Sequence, residues 1–243
     1  MVLVEQEERV AAEMSCAAAR KHVSSACVVT CPTALQRILR PDMALAVWQR
    51  SLANEVVAEL ESLELDEVDD ILLASGTDAL ERALVDAMEQ AGYSDMPAFR
   101  QDITMLASQH AAITGDYNVR IRLKVVETDA CRKFHSDYVK VRTITTYLGQ
   151  GTQWIEAESA DRADLPDSAD IRQLDAGDVG IFKGRLLQET PTILHRSPPI
   201  GGSDQQRLVL VIDPASREDE LAIRVGGTCS RAWRRSTDAS EPR

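Results

Sequence analysis

The sequence predicts an α+β fold in which a helical N-terminal half covers one side of a C-terminal antiparallel sheet or barrel. Two observations predict it. Up to about Gly115 the apolar residues recur at helical spacing, and beyond it they alternate with polar residues. The bulk numbers agree, because 243 residues with 44% hydrophobic and 27% charged side chains suit a globular chain with a substantial core.

Pro41-Asp42 precedes MALAVWQRSLANEVVAELESL, where Leu45, Trp48, Leu52, Val56 and Leu60 share one helical face. Asp78 and Glu81 form a capping-box pattern ahead of Leu80, Leu84, Val85 and Met88, and Gly92 can end that helix. A third helix follows Pro97, with Phe99, Ile103, Leu106 and His110 on one face; His110 there reads as a packed histidine, not a ligand. After Gly115, YNVRIRLKVVET sets Val119, Ile121, Leu123 and Val125 against Arg120, Arg122 and Lys124. VRTITTYL and GQGTQWIEAE continue the β-rich pattern, the polar stretch 159–170 reads as a long loop, and DVGIF, TILH and RLVLVID are short strands. The predicted organisation is therefore a helical region over 1–115, a β core over 116–228 and a polar tail over 229–243, in one integrated unit.

The net charge of −12 makes the average surface repel phosphate backbones and anionic membranes, which disfavours nucleic acid as a partner. No apolar run approaches the roughly 20 residues of a membrane helix, and the N-terminus carries acids where a secretion signal carries bases. Five cysteines without a paired C-x-x-C spacing read as free thiols in a reducing cytoplasm.

His135-Ser136-Asp137 is the most informative short stretch. By itself it is weak: four histidines, each with a 39 in 243 chance of an acid two places on, give about 0.6 such pairs by accident. Strand geometry adds weight, because residues i and i+2 share a face and can converge on one ion. His195 ends TILH ahead of a loop, and Arg207 opens an apolar strand face shared with Val209 and Val211. A buried guanidinium needs an anionic partner. Two histidines and a carboxylate leave open positions on an octahedral metal, and an arginine fork suits a carboxylate held at a fixed distance from it. Imidazole and carboxylate also suit zinc.

H-x-D, a distal histidine and an arginine twelve residues later together resemble the Fe(II)/2-oxoglutarate-dependent dioxygenases. That resemblance implies a double-stranded β-helix (jelly-roll, cupin-like) core with Fe(II) on His135, Asp137 and His195. It implies 2-oxoglutarate as cosubstrate, its far carboxylate on Arg207, with Tyr147 of TTYLG against the same carboxylate. LAVWQR, FHSDYVKVRTITTYLGQGTQW, GDVGIFKG, HRSPP and RLVLVID, spanning 45–213, further resemble the bacterial family called domain of unknown function 1826, which has no assigned reaction and an association with zinc-responsive genes. The expected activity is a hydroxylase-type oxygenase; the alternative is a non-catalytic, zinc-handling or zinc-sensing protein using the same three ligands.

Trp154, Arg142, Thr146 and Arg196 are further pocket candidates, each with a plainer reading as core or solvated surface. Thr143 and Thr145 share one strand face and Arg142 and Thr146 the other, so either set can face the site. Residues 120–142 hold seven Lys or Arg against Glu127, Asp129 and Asp137, a local excess of four positive charges that favours an anionic cosubstrate or forms a solvent-facing ladder. The substrate, small molecule or protein, is not named by the sequence, and a homo-oligomer is compatible with it.

Overall fold

The computed structural model describes residues 24–157 and 170–215. Most of the expected 159–170 loop and the whole 229–243 tail lie outside these residues. In chain order the elements are β1 (Ala26–Val29), a 3-10 helix (Pro32–Leu39), β2 (Leu45–Trp48), α1 (Asn54–Glu61), a 3-10 turn (Leu65–Glu67) and β3 (Ile71–Gly76). There follow α2 (Leu80–Gln90), α3 (Pro97–Thr114), β4 (Asn118–Val126), β5 (Val141–Leu148), β6 (Gln153–Glu156), β7 (Arg172–Gln173), β8 (Val179–Lys183), β9 (Ile193–Arg196) and β10 (Arg207–Pro214).

A seven-stranded sheet runs β1-β2-β8-β5-β10-β4-β3, and a three-stranded sheet runs β7-β6-β9. All pairings are antiparallel except β1 with β2. Strand alternation gives the large sheet two apolar faces. On one, Val119, Ile121, Leu123, Leu208, Leu210 and Ile212 pack with Phe99, Ile103, Leu106 and Leu84 from the helices. On the other, Leu45, Val47, Ile144, Phe182 and Val209 meet Trp154, Leu174 and Ile193 from the smaller sheet's side. Each such fully buried aliphatic or phenyl side chain contributes about 1.5–3 kcal/mol. The layers are thus helices, large sheet, small sheet.

The N-terminal half is less helical than its spacing predicts. Leu45, Ala46 and Val47 are all buried in β2 between β1 and β8, so a short apolar run buried on both faces mimicked the first turn of a helix. The helix itself begins only at Asn54. β3 also lacks an alternating signal, because Leu72 is exposed at the sheet edge while Leu73 is only half-buried. The expected capping box does not form: Ala79 is the N-cap residue, with no side-chain cap. Gly115, at φ +76, does end α3, which the left-handed conformation favours in glycine. No helix among the described residues is long and apolar enough to cross a membrane.

Candidate metal centre and anion-binding cavity

His135 and His195 face each other across an isolated antiparallel bridge, each backbone N–H donating to the other's carbonyl at 3.0 and 2.9 Å. Directly opposed residues project to the same side of a sheet, and the two imidazole centroids stand 4.7 Å apart. Asp137 joins them through the i, i+2 relation. Its Oδ2 lies 3.0 Å from His195 Nε2, and its Oδ1 lies 3.7 Å from His135 Nε2. One ligand atom from each of the three residues lies within 4.8 Å of the others.

The details suit coordination. His135 Nδ1 is 2.8 Å from the Lys133 carbonyl, which can only accept, so a neutral ring keeps its Nε2 lone pair free. Arg142 Nη1 contacts Asp137 Oδ1, leaving Oδ2 as the free donor. That Oδ2 is buried and has no hydrogen-bond partner, although His195 Nε2 is near; the pair is close without being aligned. Cis ligands about 2.1 Å from an ion stand about 3 Å apart, which is the separation of those two atoms. Burial opposes the charged form of Asp137, yet the nearby rings and guanidinium, His195 before Arg142 and His135, hold its carboxyl well below the usual carboxylate range. Burial pushes the His195 ring down and keeps it neutral, the form that ligates.

A turn fixes the backbone of Asp137. Its carbonyl accepts from Arg185 N at 2.8 Å, and a Cβ on Gly184 would lie 2.0 Å from the Val139 carbonyl oxygen and 2.8 Å from that of Asp137. Only glycine lets the two segments approach so closely.

Between the sheets lies a cavity of about 310 Å³, lined by His135, His195, Arg142 and Ile144 at the ligand end and by Arg207, Val209 and Thr152 farther along. Arg207 is 1% exposed. Its guanidinium donates to Gln150 O at 2.5 Å, Ser197 Oγ at 3.1 Å and Thr146 Oγ1 at 3.3 Å. All three acceptors are neutral, so the buried cation has no carboxylate among the described residues. Burial pushes its pKa down to about 10, which still leaves it charged at neutral pH.

The remaining pocket candidates divide. Thr146 orients Arg207, and Arg196 lines the cavity, donating from Nε to Gln153 Oε1 at 2.8 Å and stacking on Phe134. Arg142 lines the cavity too, but its Nε and Nη2 donate to Asp213 at 2.7 and 3.1 Å, making it a bridge between two carboxylates. Tyr147, expected beside the cosubstrate carboxylate, faces the helices instead. It stacks edge-on against Phe99 and donates to Asp102 Oδ2 at 2.6 Å, while Arg50 holds the same carboxylate. Strand alternation puts it there, on the β5 face of Thr143 and Thr145, while Arg142 and Ile144 take the cavity face. A register shift between Leu208 and Val209, which pair with Leu148 and Thr146, leaves Tyr147 as the extra residue of a bulge. Trp154 belongs to the core between the sheets, with Arg172 over its ring. Thr143 also faces the helices, where its Oγ1 lies 2.9 Å from Nδ1 of the fully buried His110.

The basic stretch 120–142 is neither a plain ladder nor a plain cosubstrate site. Arg120 and Arg122 turn inward and, with Arg142, surround the fully buried Asp213 at 3.2, 2.8 and 2.7 Å. Asp213 was not singled out by sequence spacing, though the alternation that groups Arg207, Val209 and Val211 puts it on their face. Ser197 and Gln150, which hold Arg207, leave no sequence signal, because one acts through a loop hydroxyl and the other through a carbonyl.

Residues 30–213 match a single family, described as protein of unknown function (DUF1826). The chain belongs to that family. No curated protein matches this DUF1826 chain. Among solved structures, the rice dioxygenase for auxin oxidation is 13% identical, with a TM-score of 0.43 and 77% of each chain covered. A Pseudomonas putida prolyl-4-hydroxylase is 12% identical, with a TM-score of 0.43 and coverage of 76% of this chain and 99% of its own. The 2-oxoglutarate complex of the Arabidopsis thaliana auxin dioxygenase AtDAO1 is 11% identical, with a TM-score of 0.42 and coverage of 79% and 92%.

Proposed function

We propose that this DUF1826 protein is a non-haem Fe(II)/2-oxoglutarate-dependent oxygenase of the hydroxylase type, built on a double-stranded β-helix. One observation carries the reading. Two imidazoles that line one end of a cavity flank a buried carboxylate oxygen without a hydrogen-bond partner, and a buried arginine without an acid partner lines the same cavity. That is a divalent-cation donor set and an anion anchor facing one cavity, as a chelating dicarboxylate requires. Two facing sheets, antiparallel but for the β1–β2 pair, with His135 and His195 on a bridge at one end, support the β-helix reading.

In this reading His135, Asp137 and His195 hold the iron. The iron supplies the coupling of oxygen, 2-oxoglutarate decarboxylation to succinate and substrate oxidation. The chain does the rest. Arg207 fixes the far carboxylate of 2-oxoglutarate, with Thr146 and Ser197 setting the plane of its fork. Arg142 occupies Asp137 Oδ1 and so presents one carboxylate oxygen. Phe182, 4.6 Å from the His195 ring centroid, and Ile144 keep that end apolar. Cys27, Cys31 and Cys131 form no disulfide among the described residues, which is in keeping with a reducing cytoplasm.

The test uses metal-free full-length protein. Fe(II) with 2-oxoglutarate, mixed without oxygen, is expected to give the visible charge-transfer band of a chelate, and oxygen is then expected to yield succinate. Arg207→Met is expected to weaken 2-oxoglutarate binding about 100-fold, the ~3 kcal/mol of a lost buried charge partner, with Fe(II) binding retained. His195→Ala should lose both. Tight zinc binding lost in His195→Ala, with no 2-oxoglutarate uptake at all, would replace this reading by the zinc-handling one, whose ligand chemistry is the same.

A further inference from the structure

Building on the oxygenase reading, we infer that Lys124 and Arg122 on β4 form a second anion subsite, and that the substrate is a small organic acid bound through its acidic group. Both residues line the cavity. Strand alternation turns them away from Leu123 and Val125, which pack under the helices. Lys124 pairs in register with Val209, and Arg122 with Val211. They therefore flank the β10 face along which Arg207 and the ligand end are set out.

Charge balance says what this flank is for. Five basic side chains line the cavity: Arg122, Lys124, Arg142, Arg196 and Arg207. Four carboxylates offset them, Asp70 and Glu127 on the lining and Asp137 and Asp213 behind it. A divalent ion and a dianionic cosubstrate cancel each other, so one positive charge remains, in a chain whose net charge is −12. The acids are already engaged, Asp70 Oδ1 accepting from Val125 N at 2.9 Å and Glu127 Oε1 from Gln206 Nε2 at 3.2 Å.

Lys124 is the cation left over: its side chain has no hydrogen bond or ion pair among the described residues. The Nε of Arg122 is buried and unpartnered, because only its Nη2 reaches Asp213. A desolvated guanidinium N–H without an acceptor favours a ligand that brings one. The distal carboxylate of the cosubstrate is matched by Arg207, which leaves Lys124 and Arg122 for a different anion. At about 310 Å³ the cavity is near the lower end of the roughly 300–1,000 Å³ range of small-molecule sites. A five-carbon cosubstrate leaves room there for a small partner only.

Sulfate is the probe, titrated at constant ionic strength into full-length protein loaded with Mn(II) and 2-oxoglutarate without oxygen. Millimolar binding is expected, weakened at least tenfold in Lys124→Met, restored in Lys124→Arg, with 2-oxoglutarate affinity changed less than twofold. Lys124 is exposed, so these variants should fold. Absent sulfate binding, or binding equal in Lys124→Met (an adventitious ion only), overturns the proposal. Loss of 2-oxoglutarate affinity in Lys124→Met also overturns it, by assigning Lys124 to the cosubstrate. If neither Mn(II) nor 2-oxoglutarate is taken up, the oxygenase reading fails separately, and sulfate titration of the unloaded protein still decides the subsite. Where binding is found, small carboxylic acids compared with their methyl esters should stimulate succinate release at least tenfold better as acids, with KM raised in Lys124→Met. Stimulation by the esters alone overturns the assignment to substrate.

Discussion

His110 shows how one side chain couples the helical layer to the sheet. It is fully buried in α3, with Nδ1 against Thr143 on β5 and Nε2 without a partner. Burial pushes its pKa from the usual 6.5 down to about 4, so the folded protein keeps the ring neutral. The unfolded chain binds that proton first. Stability from this residue is therefore complete above about pH 6.5 and is lost as pH falls towards 4, a change of about 3 kcal/mol. Denaturant midpoints should fall between pH 7 and 4.5, and the fall should be smaller in His110→Gln. An equal pH slope in that variant would remove His110 as the cause. Helical spacing alone made this residue legible, because a histidine in line with Phe99, Ile103 and Leu106 has to pack as they do.

At the scale of elements, the site depends on loops that join two sheets. The turn at Gly184 holds the backbone from Asp137 to Lys140, and its close approach to two carbonyl oxygens leaves no room for a methyl group. Gly184→Ala is expected to cost about 1–3 kcal/mol, the usual range for overpacking, and to weaken divalent-metal binding at least tenfold by moving Asp137. Calorimetric titration with Co(II) at a temperature where the variant is folded checks this; unchanged affinity would mean that Asp137 is placed by its side-chain partners alone. Here the legibility of the sequence divides along physical lines. Alternation in β4, β5 and β10 is a local property and marked those strands, while the i, i+2 pairing marked His135 with Asp137. β2 and β3 were not legible, because a strand buried on both faces and an edge strand both lack alternation. Nor was the role of Tyr147, because alternation groups it with Thr143 and Thr145 without saying which face of β5 meets the helices.

At the scale of the whole molecule, one buried carboxylate gathers three strands. Arg120 and Arg122 from β4 and Arg142 from β5 converge on Asp213 of β10, and Arg142 passes the connection on to Asp137. Burial works against the charged carboxyl, but the three guanidinium groups, Arg142 foremost, hold its pKa below the usual range. Asp213→Asn would leave those cations crowded around a neutral amide, at a cost of about 3–5 kcal/mol. Thermal unfolding should show the loss, and a double variant with Arg142→Met should recover part of it; no recovery would show that the two residues are not coupled. The bulge at Tyr147 has a consequence of a different kind. It acts as a frame-shift in the hydrogen-bonded ladder, one residue gained by β5 against β10. Before it, β5 turns Arg142 and Ile144 into the cavity; after it, Gly149, at φ +82, carries the chain round so that the Gln150 carbonyl meets Arg207. The two ends of the cavity are thereby phased independently, so the end with His135 and His195 and the end with Arg207 can each keep their own register while sharing a single strand.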